Sequence, residues 1–329
     1  MIARVGVRLR EERLTLQQLI DLARLAEARG YESIWVPEGS GKDAFSQLTA
    51  YALSTQCVQL GTGIAIIYSR TPSLLAMTVG TLDQISGKRA ILGLGIGHRQ
   101  GIEQGHGVTF GKPMRRMREY VATIRAILRG GDIPQATEVP VKRFRLEFTP
   151  ERARLPIYIA ALGPKMCQLA GEIADGVLMN WATTSSVKEA IANVRLGAER
   201  AGRATDEVDI ACYIRAAVGP DEKAVKQALA RETVRYISLD FYRQMFNRSG
   251  FAEDTEAVMK AMPSGIEAAA EHVSDRMLEE VAIFGSPERC GRRLEAYRAL
   301  GIAHPIVAPV SVGANLYDSW AAVIQTFGG

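Results

Sequence analysis

Eight short apolar segments recur along the chain, most of them followed by a stretch with apolar residues at helical spacing. This alternation is what most narrows the folds open to it. Ala3 to Leu9 alternates as a strand. Thr15 then caps a helix on which Leu16, Leu19, Ile20, Leu22, Ala23 and Ala26 share a face, and Gly30 stops it. A strand at Ser33 to Val36 and a helix from Ala44 to Thr55 come next, then a strand at Val58 to Thr62 and a helix from Pro72 to Ile85. Ala90 to Leu94 is a fourth buried strand, with a long helix from Met114 to Leu128 behind it. The stretch EVPVKRFRLEF reads as a hairpin or an extended excursion. Two strand-helix units follow, at Pro156 to Ala174 and Val177 to Arg200. Val208 to Val218 is the seventh strand, and Pro305 to Ala308 the eighth, after a helix from Pro287 to Leu300.

No strand is short or charged enough to be a sheet edge, so the pattern predicts a closed parallel (β/α)8 barrel in one domain over residues 1–329. Asp221 to Ala282 is too long for an ordinary connection. Its periodic stretches, Glu222 to Leu239 and Thr255 to Met262, predict a helical insertion between strands seven and eight. At 329 residues and 47% hydrophobic, the chain can bury a large core.

The charge balance excludes several functions. With 40 basic against 36 acidic residues the net charge is +4, and the basic residues are scattered, so no nucleic-acid partner is expected. The run KPMRRMR reads as the start of a solvated helix or a local anion site. Cys57, Cys167, Cys212 and Cys290 lie far apart in apolar segments, which predicts buried free thiols and no metal. The chain begins directly as a strand, and no segment reaches about 18 uninterrupted apolar residues, so no membrane association is expected and a soluble, cytoplasmic protein is.

In such a barrel the chemistry sits where strands end and the following loops begin. That rule selects Arg8, then Pro37-Glu38-Gly39, Gly61-Thr62-Gly63-Ile64, Gly95-Ile96-Gly97-His98, Ala161 with Gly163-Pro164-Lys165, and Asn180-Trp181. The stretch PIYIAALGPKMCQLAGEIADGVLMN is a strand, a Gly-Pro turn, a helix and another strand. Pro164 at a first helical turn leaves free N–H groups beside Lys165, which form a natural anion site. Taken singly, the turn reads more simply as ordinary strand-to-helix punctuation. There is no HExxH, Walker or GxSxG sequence, and GLGIGHRQG lacks the third glycine of a dinucleotide fingerprint.

Three separated blocks, LGTGIAIIYSRTPSLLAMTVGTLDQISGKRAILGLGIG, FGKPMRRMREYVATIRAIL and PIYIAALGPKMCQLAGEIADGVL, occur in an order that resembles the bacterial luciferase-like superfamily. Within it they resemble the deazaflavin-dependent branch that includes methylene-tetrahydromethanopterin reductase. The resemblance implies a barrel that binds coenzyme F420 at the C-terminal ends of its strands and transfers a hydride to or from a small organic substrate. It implies a homodimer. It also places a bulge with a non-prolyl cis peptide at Gly63-Ile64, the cofactor phosphate on Gly163, Pro164 and Lys165, and the ring or ribityl chain along Ala160, Ala161 and Asn180, with Gly61 and Thr62 also in the cofactor-binding set.

The substrate half departs from these relatives. Arg8 stands where the reductase has a strand-one glutamate, Glu38-Gly39 where many relatives have Asp-His, and His98 where the sugar-phosphate dehydrogenase branch has a glutamate. His98 and Glu38 are therefore the candidate acid or base, with an exposed loop position the alternative for His98 and a ring contact or an arginine partner the alternative for Glu38. Arg8 and Arg70 are candidates for neutralising an acidic substrate or the cofactor's anionic tail, or are surface residues. Trp35 is most simply core, Trp181 a candidate ligand contact, and His106 a loop residue. Two rival readings stay open: an FMN-dependent monooxygenase supplied with reduced flavin by a partner reductase, and a cofactor-binding protein without catalysis.

Overall fold

A computed structural model describes residues 4–328. Ten parallel-paired strands are present: β1 (Gly6–Arg8), β2 (Ser33–Val36), β3 (Gln59–Thr62), β4 (Ala65–Ile66), β5 (Ala90–Gly95), β6 (Ile157–Ala160), β7 (Gly176–Asn180), β8 (Asp209–Ala217), β9 (Ala282–Phe284) and β10 (His304–Pro309). Eight of them form the ring β10-β1-β2-β3-β5-β6-β7-β8, closed where β10 pairs β8 from His304↔Ala211 to Pro309↔Ala216. The expected barrel is therefore what forms. Closure leaves no sheet edge open in the ring. Ala3, placed in strand one by its alternation, lies outside the described residues.

The thirteen helices are α1 (Leu16–Ala28), α2 (Ala44–Ala52), α3 (Pro72–Ser86), α4 (Pro113–Leu128), α5 (Pro164–Ile173), α6 (Thr184–Arg200), α7 (Glu222–Ile237), α8 (Asp240–Phe246), α9 (Ala252–Ala261), α10 (Ile266–Ala270), α11 (Asp275–Val281), α12 (Pro287–Ala299) and α13 (Leu316–Phe327). Thr15 caps α1 in a reciprocal box with Gln18. α2 stops a turn earlier than its pattern predicts, because Arg89 donates to the freed carbonyls of Ala52 (2.8 Å) and Thr55 (3.1 Å). The EVPVKRFRLEF segment is an extended excursion without strand pairing. α13, which the sequence reading leaves out, packs beside α1, where Tyr31 Oη donates to Ile324 O (3.1 Å). No helix among the described residues is long and apolar enough to cross a membrane.

Two devices shape the mouth. Across β3 and β4 six residues (Leu60 to Ala65) face five on β5 (Ala90 to Leu94), so Gly63-Ile64 is a bulge in one interrupted strand. The insertion, helices α7–α11, has an apolar core of its own around Leu229, Phe246, Val258 and Met277. It returns through β9, which pairs only the last residues of β8, Arg215↔Ala282 to Ala217↔Phe284. The insertion is thus anchored at the C-terminal end of the barrel, over the loops.

Inside, Trp35, Ile91, Tyr158, Leu178, Ala211, Tyr213 and Ile306 fill the barrel. A Cβ at Gly61 would lie 2.5 Å from the Trp35 ring, so only glycine lets that indole cross the interior. The floor is polar and fully paired. Arg4 donates to both oxygens of Asp209 (3.1 and 2.9 Å) and to Glu32 (2.8 Å), Tyr158 donates to Asp209 (2.6 Å), and buried His304 bridges Arg4 (3.2 Å) and Ser33 (2.8 Å).

Burial alone would raise the Asp209 carboxyl pKa, but hydrogen bonds from Arg4 and Tyr158, with the Arg4 charge, outweigh it and hold it below the usual carboxylate range. A depressed native pKa contributes stability above the unfolded value, about pH 4, and loses it as pH falls below that. Asp209→Asn is expected to lower the urea-unfolding free energy by about 2–3 kcal/mol at pH 7. The gap should shrink as pH falls from about 4; an unchanged gap at pH 3 would count against this account.

Candidate active site

The bulge is held from three sides. Gly63 N donates to Val36 O (2.9 Å), Glu38 N donates to Ile64 O (2.9 Å), and Ile67 N donates to Gly95 O (3.0 Å). From across the barrel, Tyr213 Oη donates to Gly63 O (2.9 Å). A Cβ at Gly63 would sit 1.8 Å from that hydroxyl, so the contact requires glycine. The Gly63-Ile64 peptide is cis. Ile64 is left partly exposed at the mouth, an apolar surface among otherwise buried neighbours.

Glu38 is placed differently from the expectation of an acid or base. Its carboxylate accepts from Ile66 N (2.8 Å) and from Arg70 Nε, and the side chain is only 9% exposed. It braces the bulge and offers no free oxygen to a substrate. Arg70 is correspondingly committed to Glu38 and Asp43 and lies over the Phe45 ring (4.8 Å), so it is not poised for a substrate anion. Gly61 and Thr62 are also corrected. Both are buried in the barrel wall, where Thr62 Oγ1 donates to Gly93 O (2.8 Å) and accepts from Gly93 N (2.9 Å). Gly61 faces the Trp35 indole inside the barrel, and strand alternation turns Thr62 to the opposite face.

Across the mouth, Gly163 precedes α5 with no side-chain cap, Pro164 occupies the first turn, and Cys167 N already bonds Gly163 O (3.0 Å). Lys165 is exposed beside this turn, Ala160 faces the mouth, and Ala161 is buried. Asn180 ends β7. Its Oδ1 accepts from Arg215 Nη1 (2.6 Å) and its Nδ2 donates to Tyr242 Oη (2.7 Å). The amide orientation is forced, since a guanidinium only donates. One N–H and one lone pair of Asn180 remain for a ligand.

Trp181 is 1% exposed and sits under the insertion, not in open contact with the mouth. Its φ of 56° is unusual for a bulky residue. Packing fixes it: the ring lies against Arg215 (4.4 Å), Tyr236 (4.9 Å) and Phe246 (6.4 Å). Its Nε1 has no hydrogen-bond partner among the described residues.

His98 follows β5 at the exposed rim, 6.1 Å from the Tyr242 ring, and lost hydration lowers its imidazole pKa. His106 is an exposed loop residue, while Trp35 is core. Of the cysteines, Cys167, Cys212 and Cys290 are buried and free, and burial pushes their thiols up to about 12, 12 and 11. Cys57 is exposed, contrary to expectation, because Glu27 draws the N–H groups of residues 56–58 to the surface.

Tyr213, Arg215, Tyr236 and Tyr242 belong to no motif. Only the alternation along β8, with Ala211, Tyr213 and Arg215 on one face, marks two of them. Burial raises the phenol pKa of Tyr213 and Tyr242, so both remain hydroxyl donors.

A parallel barrel with its polar and glycine-rich loops gathered over one mouth is the architecture of an α/β-barrel enzyme. The chain belongs to the luciferase-like monooxygenase family, whose profile matches residues 1–304. It is 32% identical over 303 residues to a 5,10-methylenetetrahydromethanopterin reductase of Methanolobus tindarius, covering 89% of this chain and 90% of that one. It is 33% identical over 298 residues to the same-named protein of Archaeoglobus fulgidus, covering 88% of each. The structure superposes on that of a coenzyme F420 dependent tetrahydromethanopterin reductase from Methanopyrus kandleri with a TM-score of 0.81 and 25% identity, over 99% of this chain and 98% of that one. It is a luciferase-like oxidoreductase.

Gly63→Ala should cost about 1–3 kcal/mol through overpacking against Tyr213, and Tyr213→Phe about 1–3 kcal/mol by orphaning Gly63 O. Because the clash is with the hydroxyl, the double variant should lose less than the sum, by at least about 0.5 kcal/mol in denaturant titrations. Strict additivity would show that the two residues do not meet in this way.

Proposed function

We propose that this chain is a coenzyme F420-dependent oxidoreductase that transfers a hydride between the deazaflavin ring and a small organic substrate. The observation that carries this reading is the mouth itself: the apolar Ile64 face of the bulge, held by Tyr213, shares the rim with an uncapped helix start at Gly163-Pro164-Lys165 two strands round the ring. The name of the Methanopyrus kandleri structure reported above supports the same cofactor.

The residues present fit such a group. A Cβ at Gly163 would have no neighbour closer than Phe241 at 3.6 Å, so the turn is open to a ligand. The free N–H groups of that turn and the Lys165 ammonium suit a phosphate. Ile64 and Ala160 would back a flat ring, and the remaining donor and acceptor of Asn180 would hold its polar edge or a ribityl hydroxyl. When bound, the deazaflavin supplies or accepts the hydride.

The chain's own task is then to exclude water and manage one proton. The insertion covers the mouth on the side of β8 and serves the first purpose. His98 serves the second. With its pKa lowered, its imidazole is neutral at pH 7, so it takes a proton when the substrate is oxidised and must first be protonated to give one back.

Purified protein titrated with F420 and separately with FMN should quench F420 fluorescence at micromolar concentrations and respond weakly to FMN. Tight FMN binding without an F420 response would instead favour the flavin monooxygenase. Lys165→Met is expected to weaken F420 about tenfold. In the oxidising direction, turnover should fall only as pH drops below the ordinary histidine range, where the imidazole with its lowered pKa becomes charged. His98→Asn should flatten that profile and cut turnover roughly 100-fold without changing F420 quenching; an unchanged profile would remove His98 from the mechanism.

A further inference from the structure

Around the mouth most arginines are neutralised by a carboxylate. Arg10 pairs with Glu12 (2.7 Å), Arg13 with Glu11 (2.8 Å), Arg231 with Glu267 (2.6 Å) and Arg235 with Glu232 (3.3 Å). Two arginines deeper in the same cavity are not. Arg8 makes no hydrogen bond or ion pair among the described residues. Arg215 is 3% exposed, and its polar partner is the neutral amide of Asn180.

Register shows how these two meet. Val7 pairs Val307 and Ala308 pairs Arg215, so Arg8 and Arg215 stand on either side of Ala308 in one layer. Gly6, Ile306 and Tyr213, two residues earlier on each strand, face the barrel interior, so Arg8, Ala308 and Arg215 face it too. Between two guanidiniums on strands about 10 Å apart lies only a methyl group. Above them is a cavity of about 300 Å³ that both line, a size suited to a small ligand.

Like charges held this way are costly unless an anion joins them. The groups around Arg8 do not supply one. They are Arg215, the phenols Tyr213 and Tyr236, and Glu232, which is already paired with Arg235; burial and the like charge of Arg215 hold Arg8 below the ordinary arginine pKa. Nor does the phosphate turn reach Arg8, since β6 lies four strands round the eight-strand ring from β1. Trp181 stacks on Arg215 and fixes the plane of its fork. Planar forks of this kind match the two oxygens of a carboxylate or phosphate.

We infer that Arg8 and Arg215 form an oxyanion site, and that the substrate reduced or oxidised at this mouth carries a carboxylate or phosphate group bound between them. The term "substrate" rests on the proposed hydride-transfer reading; the anion site does not.

Calorimetric titration of the full-length protein, with and without F420, with succinate, 2-oxoglutarate, methyl phosphate and the neutral control succinamide tests this inference. At least one of the anions should bind one to one, and succinamide at least tenfold more weakly; which anion binds separates carboxylate from phosphate. Arg8→Met should weaken that anion tenfold or more, Arg8→Lys should recover only the part owed to charge, and F420 quenching should stay the same in both. Arg8 is the residue to change because it leaves no hydrogen-bond partner orphaned.

Equal binding of anions and succinamide would overturn the site, as would an Arg8→Met variant with unaltered anion affinity. Loss of F420 affinity in Arg8→Met, with the tail-less deazaflavin still bound normally, would assign the arginines to the cofactor's tail and overturn the substrate assignment. Anion binding by a wild type that ignores F420 would sink the cofactor reading and leave the oxyanion site standing.

Discussion

The site depends on one hydrogen bond across the barrel, from the Tyr213 hydroxyl on β8 to Gly63 O in the β3–β4 bulge. It joins opposite walls of the ring through a space that also holds Trp35, and it works only because residue 63 has no Cβ. Through it, the height of Ile64 at the mouth is tied to the packing of the interior. The carboxylate of Glu38 supports the same bulge from outside the ring, on Ile66 N and Arg70. A residue that first reads as an acid for catalysis thus serves the shape of the Ile64 face.

The two ends of the barrel treat charge in opposite ways. At the floor every strong charge is met: Asp209 takes Arg4 and Tyr158, and His304 joins Arg4 to Ser33, so the cluster closes on itself. At the mouth, Arg8 and Arg215 lie beside each other without a carboxylate, although glutamates at the rim pair with the arginines around them. A closed network of hydrogen bonds repays the desolvation of its members, whereas an uncompensated pair invites a ligand. The contrast marks the mouth as the working end independently of the glycine loops.

Much of this was legible in the residue order. Period-two apolar runs alternating with helical spacing specified eight strands, and the long periodic gap from 221 to 282 specified the insertion. β9 was not legible, since three residues become a strand only because β8 extends beyond the ring to pair with them. The pairing of Glu38 with Arg70 was hidden for a similar reason: 32 residues separate them, and nothing local signals that the bulge folds back between them. Trp181 stood out beside the mouth, yet the insertion buries it and turns it into a support for Arg215.

What the sequence by itself determined is the closed α/β barrel, the location of its working end and the Gly-Pro-Lys turn, because local periodicity, capping and backbone freedom are properties of neighbouring residues. What only the tertiary structure decided is which charged side chains are paired. Glu38 and Arg70 were consumed by each other, while Arg8 and Arg215 came to flank Ala308 without a carboxylate partner. Ion pairing depends on distance in space, and barrel closure, which sets β1 and β8 on either side of β10, creates distances that no local pattern encodes.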